Sequence, residues 1–294
     1  MKEYVIITDS CVDLTQEMAN QLGLHIVPLS VLCEGNSYRN YLDGRELKPT
    51  EFYQMLREHK KTSTSQVTTM EFVEAMRPFL NEDKDILIIS FSSALSGTYS
   101  SALQAKKELE EEFSNQKIVV LDSLCASMGQ GLLCMHVAHL KQEGKTIEEV
   151  KKWAEDNRMN VCHLFTVGDL DHLRRGGRLS AATAFIGSLL LIKPLLHVSK
   201  EGKLVQTGKT HGRIRSLDTL VSTMITSIVH PEEQIIFISH GDCLQDAEYV
   251  KDEIMKVLPV KEIHINLVGP VIGSHSGIGT IAIFYMGKDR FLQG

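Results

Sequence analysis

The chain has 294 residues, 43% of them apolar and 23% charged, with a net charge of −6. That is the balance of a globular protein of about two domains, with enough apolar material to build a core without disulfides or metals. The acidic balance argues against a general nucleic-acid binder, whose footprint is basic. No window approaches the roughly 20 apolar residues of a membrane span, and the apolar run at the start ends at Thr8 and Asp9, too early for a signal peptide. Cys11, Cys33, Cys125, Cys134, Cys162 and Cys243 form no C-x-x-C pair and no metal-ligand spacing, so reduced thiols are expected.

Apolar runs alternate with helical patterns along the whole chain. Val5–Ile7 predicts a strand, followed by a helix opening near Asp13, with Asp13 and Gln16 as a capping box and Gly23 as the stop. A second strand is expected over 26–32 and a third, covered on both faces, at Ile86–Ile89. A helix over 98–113, a strand at Ile118–Leu121 and helices over 127–142 and 146–157 follow. The second half predicts strands near 161–166, 194–198, 203–207, 235–239, 262–268 and 278–286. Helices are expected over 214–229 and around Ala247, Val250, Ile254 and Val257, which recur at helical spacing. This alternation is an α/β pattern.

In open α/β sheets, ligands bind beyond the carboxyl ends of the strands. Those ends are polar here: Thr8-Asp9-Ser10, Ser90 with Ser92, Ser93 and Ser96, Asp122-Ser123, and Ser239-His240-Gly241. Small hydroxyl residues also cap turns, so their recurrence is the signal rather than any one of them. Leu95-Ser96-Gly97-Thr98 opens a predicted helix whose free N–H groups favour an anion, and Gly97 would let a ligand approach the backbone. The equal alternative is a plain N-cap. His275 stands inside Gly269–Gly277, enclosed by small residues that let other atoms come close, and an imidazole there can donate to a carboxylate. The His at the centre of G-S-H-S-G rules out a serine nucleophile elbow. Gly277-x-Gly279 lacks the chain a βαβ dinucleotide unit needs, and there is no Walker A sequence. Arg174, Arg175 and Arg178 surround Gly176-Gly177 in a basic loop predicted to be exposed, suited to phosphate or an acidic partner. Lys209, His211, Arg213 and Arg215 form a second basic cluster.

Thr8-Asp9-Ser10, Thr64-Ser65-Gln66, Leu95-Ser96-Gly97-Thr98-Tyr99, Gly176-Gly177-Arg178-Leu179-Ser180 and Gly269-Pro270-Val271-Ile272-Gly273 with His275 occur in this order and at these separations. On these five motifs the chain resembles, from end to end, the DegV family, which includes the fatty-acid-binding subunits of bacterial fatty-acid kinase. The resemblance implies a cytoplasmic carrier that buries one long-chain fatty acid, holds its carboxylate at Thr64, Ser96, Gly97 and His275, and needs no cofactor or metal. A separate ATP-binding kinase subunit would phosphorylate that carboxylate for phospholipid synthesis, with Arg178, Lys209 and Arg175 on the phosphoryl-transfer or partner surface. The sequence departs from the family at Val67, where Pro usually follows T-S-Q, and at Lys209, where Arg is common. A second Thr-Ser pair, Thr62-Ser63, precedes the motif.

The architecture expected is two packed α/β domains with mainly parallel sheets. Residues 1–160 would carry the anion-site loops, and residues 161–294 would contribute the lipid cavity and the His275 loop, with the ligand between the domains or in the second. The competing reading is a stand-alone phosphotransfer or hydrolytic enzyme that uses His275 or a strand-end Ser, although no Ser-His-acid set is evident. A third is a regulatory sensor that reports lipid occupancy. Stable membrane insertion and nucleic-acid binding are not expected.

Overall fold

A computed structural model describes residues 2–179 and 191–290. Strand β1 (Tyr4–Asp9) leads through a single 3-10 turn into helix α1 (Gln16–Gln21). The capping residue of α1 is Thr15, whose hydroxyl accepts from Met18 N–H at 3.1 Å, and not Asp13. Asp13 instead adopts a left-handed backbone (φ 50°) and buries its carboxyl group. Gly23 (φ +63°) ends the segment as expected. The single strand expected over 26–32 is two strands, β2 (Leu24–Val27) and β3 (Ser30–Cys33), because Pro28 lacks the N–H that a continuous ladder needs.

Four elements with no counterpart among those predicted follow: β4 (Asn36–Arg39), α2 (Pro49–Arg57), β5 (Thr62–Ser65) and α3 (Thr69–Asn81). Then come β6 (Asp85–Ser90), α4 (Thr98–Glu110), β7 (Ile118–Asp122), α5 (Met128–Gln142) and α6 (Ile147–Asn157), close to their expected places. The second half contains β8 (Val161–Thr166), a short α7 (Asp171–Arg175), β9 (Ile192–Val198), β10 (Leu204–His211), α8 (Arg213–Ser227) and β11 (Ile235–His240). It closes with α9 (Leu244–Val257), β12 (Glu262–Leu267), α10 (Pro270–Ser276) and β13 (Ile281–Met286). On α9, Ala247, Val250 and Ile254 are buried, but Val257 is 56% exposed. The chain turns in one residue later, and Leu258 packs against that core in its place.

The class is α/β, with strand direction differing between the sheets. The first sheet, ordered β2-β1-β6-β7, is wholly parallel. Its central strands β1 and β6 are buried at every residue, as their apolar runs require. The second, ordered β10-β9-β8-β13-β11-β12, is antiparallel in every pairing except β11 with β12. The expectation of mainly parallel sheets therefore fails there. The connection from β9 to β10 is a hairpin too short for a crossover, and β13 inserts between β8 and β11, antiparallel to both. A small antiparallel sheet, β4-β3-β5, lies to one side.

Helices α2, α3 and α4 share one apolar core with one face of the first sheet. Helices α5 and α6 share another with its opposite face and with Phe165, Leu196, Ala282 and Phe284 of the second sheet. Helices α8 and α9 cover the far face of the second sheet. Helix α5 is thus a shared middle layer. Its residues from Met128 through Met135 are all buried, the pattern of a helix apolar on every side.

Leu133→Ala in this middle layer should lower the unfolding free energy by about 2–5 kcal/mol, the range for a large-to-small change in a packed core. Because α5 packs on both sheets, urea unfolding followed by circular dichroism and by Trp153 fluorescence should stay a single coincident transition. Two separated transitions would show that the sheets unfold independently.

Candidate functional site: a mostly apolar cavity with donors at one end

A cavity of about 950 Å³, counting its open mouth, lies where the two large sheets, α10 and the loop after α7 meet. Phe91, Leu95, Phe165, Val198, Leu204 and Phe284 supply apolar wall, as do Val271 and Ile272 on α10.

The polar end is assembled from distant parts of the chain. Thr64 on β5 lies with its Oγ1 2.8 Å from His275 Nε2 on α10. Of the two Thr-Ser pairs, it is Thr64 that faces the cavity, and Val67, in the place of the family's Pro, is fully buried beneath it in the α2–α4 core. His275 Nδ1 packs against Gly176, where a Cβ would overlap it, and has no hydrogen-bond partner among the described residues. A buried N–H left unpaired costs more than a buried lone pair, so the proton belongs on Nε2. Nε2–H then donates to Thr64 Oγ1, which leaves the Thr64 hydroxyl proton for a ligand. Burial, then the neighbouring Arg178 and His172, push the His275 imidazole down to about 4, so it is neutral near pH 7.

Ser96 precedes α4, which begins at Thr98 with Gly97 as its cap. The Ser96 hydroxyl oxygen accepts from Thr98 N–H at 3.3 Å and lies 2.9 Å from Thr98 Oγ1. When Thr98 donates across that contact, the Ser96 proton also faces the cavity. Gly97 lines the cavity, and packing adds a second reason for glycine there: the Gln66 side chain occupies the space where a Cβ would stand. Gln66 is held there by donating to Ser101 Oγ at 2.9 Å.

Arg178 also departs from expectation. Rather than standing exposed in its loop, it is half-buried and lines the cavity. Its Nε donates to Leu95 O at 3.0 Å and its Nη1 to Gly176 O at 2.6 Å. No carboxylate pairs with it among the described residues, so its charge acts on the cavity mouth. Gly177, in the left-handed region, turns the chain so that Arg178 points inward. Arg174 and Arg175 remain exposed, and Lys209 lies exposed on the edge strand β10, outside the cavity lining. Ser180 lies outside the described residues.

Most strand-end hydroxyl and acid groups hold the fold together. Thr8 donates to Ile89 O, and Asp9 accepts from Cys11 and Phe91 N–H while burial lifts its carboxyl to about 6. Ser92 donates to Gly202 O, Ser10 accepts from Leu29 N–H, and Asp122 accepts from Ser93 and Leu124 N–H. Only Ser96 and Ser239 of that set line the cavity. The sequence reading did not single out His163, Ser127 or Ser276, which line it too. Their signal is weak, because His163 lies within a strand, Ser127 just before a helix and Ser276 at a helix end, and no local pattern distinguishes them. No His, Cys, Asp and Glu cluster able to hold a metal occurs among the described residues. No described helix is long and apolar enough to cross a membrane.

Fold and cavity together define an α/β protein built around a mostly apolar chamber with hydrogen-bond donors and a guanidinium at one end. The family model described as "Uncharacterised protein, DegV family" matches residues 3–288, and the chain belongs to the DegV family. It is 46% identical to a DegV domain-containing protein of Clostridium perfringens over 290 residues, covering 99% of both chains. Among solved structures it resembles a DegV family protein from Thermus thermophilus described for its fatty acid binding (TM-score 0.88, 31% identity, 98% of this chain and 100% of that one). It also resembles DegV of Bacillus subtilis, described as a fatty acid binding protein (TM-score 0.84, 30% identity, 98% and 100%).

The titration of His275 tests this geometry. A histidine whose folded pKa is depressed from 6.5 to about 4 holds its full stabilising effect above 6.5 and loses it as pH falls towards 4, because the unfolded chain takes up the proton first. Relative to His275→Gln, the ligand-free wild type should lose stability on acidification through that window, measured by urea unfolding. Arg178→Gln should raise the His275 pKa followed by NMR.

Proposed function

We propose that this protein is a carrier that buries one long-chain fatty acid in the cavity and fixes its carboxylate at Thr64, Ser96 and the backbone around Gly97, with His275 acting through Thr64, whose hydroxyl it orients towards the carboxylate. The observation that carries the reading is the Thr64–His275 pair. It joins donors 211 residues apart in the chain at one end of a mostly apolar chamber, beside a guanidinium with no acidic partner among the described residues. The solved relatives described as fatty acid binding support it. Burying about fifteen methylenes yields roughly 12 kcal/mol gross, at ~0.8 kcal/mol each, before the entropic cost of association. Release is correspondingly slow, as suits a carrier that keeps its lipid until a partner takes it.

The partner we infer is a separate ATP-dependent kinase subunit in the cytoplasm. A carboxylate oxygen of the bound acid attacks the γ-phosphorus of ATP, ADP leaves, and an acyl phosphate forms for phospholipid synthesis. Arg178 is assigned a double part, holding the carboxylate and offsetting charge as the phosphoryl group arrives. Arg175 and Lys209, exposed and outside the lining, are assigned to the docking surface. We place the division between an N-terminal unit and a C-terminal unit near residue 160, with the cavity formed by both. The stand-alone enzyme reading gains nothing from the geometry, since the described residues offer His275 Nδ1 no acid partner.

Protein purified from cells should release close to one fatty acid per chain on organic extraction and mass spectrometry. Thr64→Val, Ser96→Ala and His275→Ala should each weaken binding by about 1.5–3 kcal/mol without unfolding the protein. The losses should not add, because the groups share one carboxylate. Unchanged affinity in all three, or a nucleotide or sugar in the extract, would refute the assignment.

With a cognate kinase, Arg178→Ala should lower both lipid retention and acyl-phosphate formation. Arg175→Ala should lower acyl-phosphate formation while lipid content stays at the wild-type level. Acyl-phosphate assays alongside lipid quantitation separate the two.

A further inference from the structure

The wall of the cavity is not uniformly apolar. Ser127, Ser239 and Ser276 line it, and each is less than a tenth exposed. Ser127 stands just before α5 with a positive φ of 53°, a conformation that a serine adopts only where its surroundings impose it. Its Oγ lies 2.5 Å from Asp13 Oδ2 and 3.1 Å from Ser239 Oγ. Asp13 is fixed in turn, its Oδ1 accepting from Gly269 N–H at 3.0 Å.

A serine hydroxyl has one proton and two lone pairs, so this short chain has only two arrangements. With Asp13 ionised, Ser127 donates to it, Ser239 donates to Ser127, and Ser239 turns its lone pairs towards the cavity. With Asp13 protonated, the direction reverses and Ser239 turns its proton towards the cavity. Burial lifts the Asp13 carboxyl to about 7, so both arrangements are populated near neutrality. Either way Ser239 keeps unused hydrogen-bonding capacity.

Ser276 is the second, independent observation. The residue lines the cavity, and its buried hydroxyl has no partner among the described residues. It belongs to the same corner as Ser239. The Thr280 hydroxyl donates to Ser276 O at 3.0 Å, and Thr280 O accepts at 2.8 Å from Gly241 N–H, two residues beyond Ser239. Buried hydroxyls are almost always paired, and a saturated alkyl chain cannot pair with one.

We propose that Ser239 and Ser276 form a second polar subsite in the acyl cavity, and that the ligand it accepts is a fatty acid with a hydroxyl group along its chain. The inference rests on the fatty-acid reading above and narrows its ligand class. An alcohol both donates and accepts, so it matches either arrangement of the Asp13–Ser127–Ser239 chain. A ketone or epoxide only accepts and matches one. A second carboxylate would face the Asp13 charge.

The test is competition. Stearic acid and a positional series of monohydroxystearic acids are each titrated against a bound fluorescent fatty acid on the wild type, Ser239→Ala and Ser276→Ala. At least one hydroxy isomer should bind the wild type about three- to tenfold more tightly than stearic acid, the gain from one net hydrogen bond. That preference should vanish in either serine variant. If stearic acid binds and every hydroxy isomer binds more weakly, the subsite is overturned while the fatty-acid reading stands. A preference that survives both substitutions also overturns the assignment. Failure of stearic acid and all isomers to bind the wild type overturns both readings. The wild-type ranking needs no variant to fold.

Discussion

The site depends on the close docking of one seven-residue helix, α10, against the opposite half of the chain. Gly273 makes it possible, since a Cβ there would stand 2.7 Å from Phe52 Cε1 and 3.1 Å from the Tyr53 hydroxyl, both fully buried. Gly176 gives the same clearance to His275. Polar contacts lock the approach: Tyr53 donates to Val268 O at 2.8 Å, and the buried Asp13 accepts from Gly269 N–H. These contacts bring His275 to Thr64. Side chains larger than glycine at 176 and 273 would hold the helix off, and the donors at the cavity end would separate.

Electrostatics and packing act together around that helix. Burial alone would leave His275 a weak base, and the Arg178 charge beside it depresses its pKa further. The same charge favours a carboxylate. When an anion arrives, the uncompensated guanidinium gains a partner and the imidazole loses its repulsion, so ligand binding and protonation are linked with the same sign. Helix α5, buried on every side over its first two turns, packs against both large sheets and ties together the halves that form the chamber.

Much of the fold is legible in the sequence where one physical signal dominates. Ile86–Ile89 can only be a strand covered on both faces, and Ala247, Val250 and Ile254 mark the buried face of α9 by their spacing. Strands β4 and β5 are not legible, because they are short, polar and half exposed and show no apolar period, whereas α2 and α3 beside them do carry helical signals, Pro49 at the first turn of α2 and a Thr68–Glu71 capping box before Phe72, Val73, Met76 and Leu80 of α3. Strand direction in the second sheet was not legible either. A strand-helix alternation is compatible with β13 running either way, and only the pairing of β13 with both β8 and β11 decides it. At the site, Thr64, Ser96 and His275 were identified by motif, and they converge. The motif marks Arg178 but not its burial, because a Gly-Gly-Arg loop carries no sign of which way its arginine turns. For Gly97 the motif marks a residue of the cavity lining, but its packing against Gln66 is visible only in the tertiary structure. The Ser127, Ser239 and Ser276 corner is a property of tertiary packing, and no local pattern announces it.

The most direct test is a crystal structure of the protein bound to palmitic acid. Density for one acyl chain is expected inside the cavity, with a carboxylate oxygen within about 3 Å of Thr64 Oγ1 and Ser96 Oγ and the tail running between Phe91, Phe165 and Phe284. A carboxylate beside His163 and away from Thr64 and Ser96, or an empty cavity at saturating ligand, would contradict it.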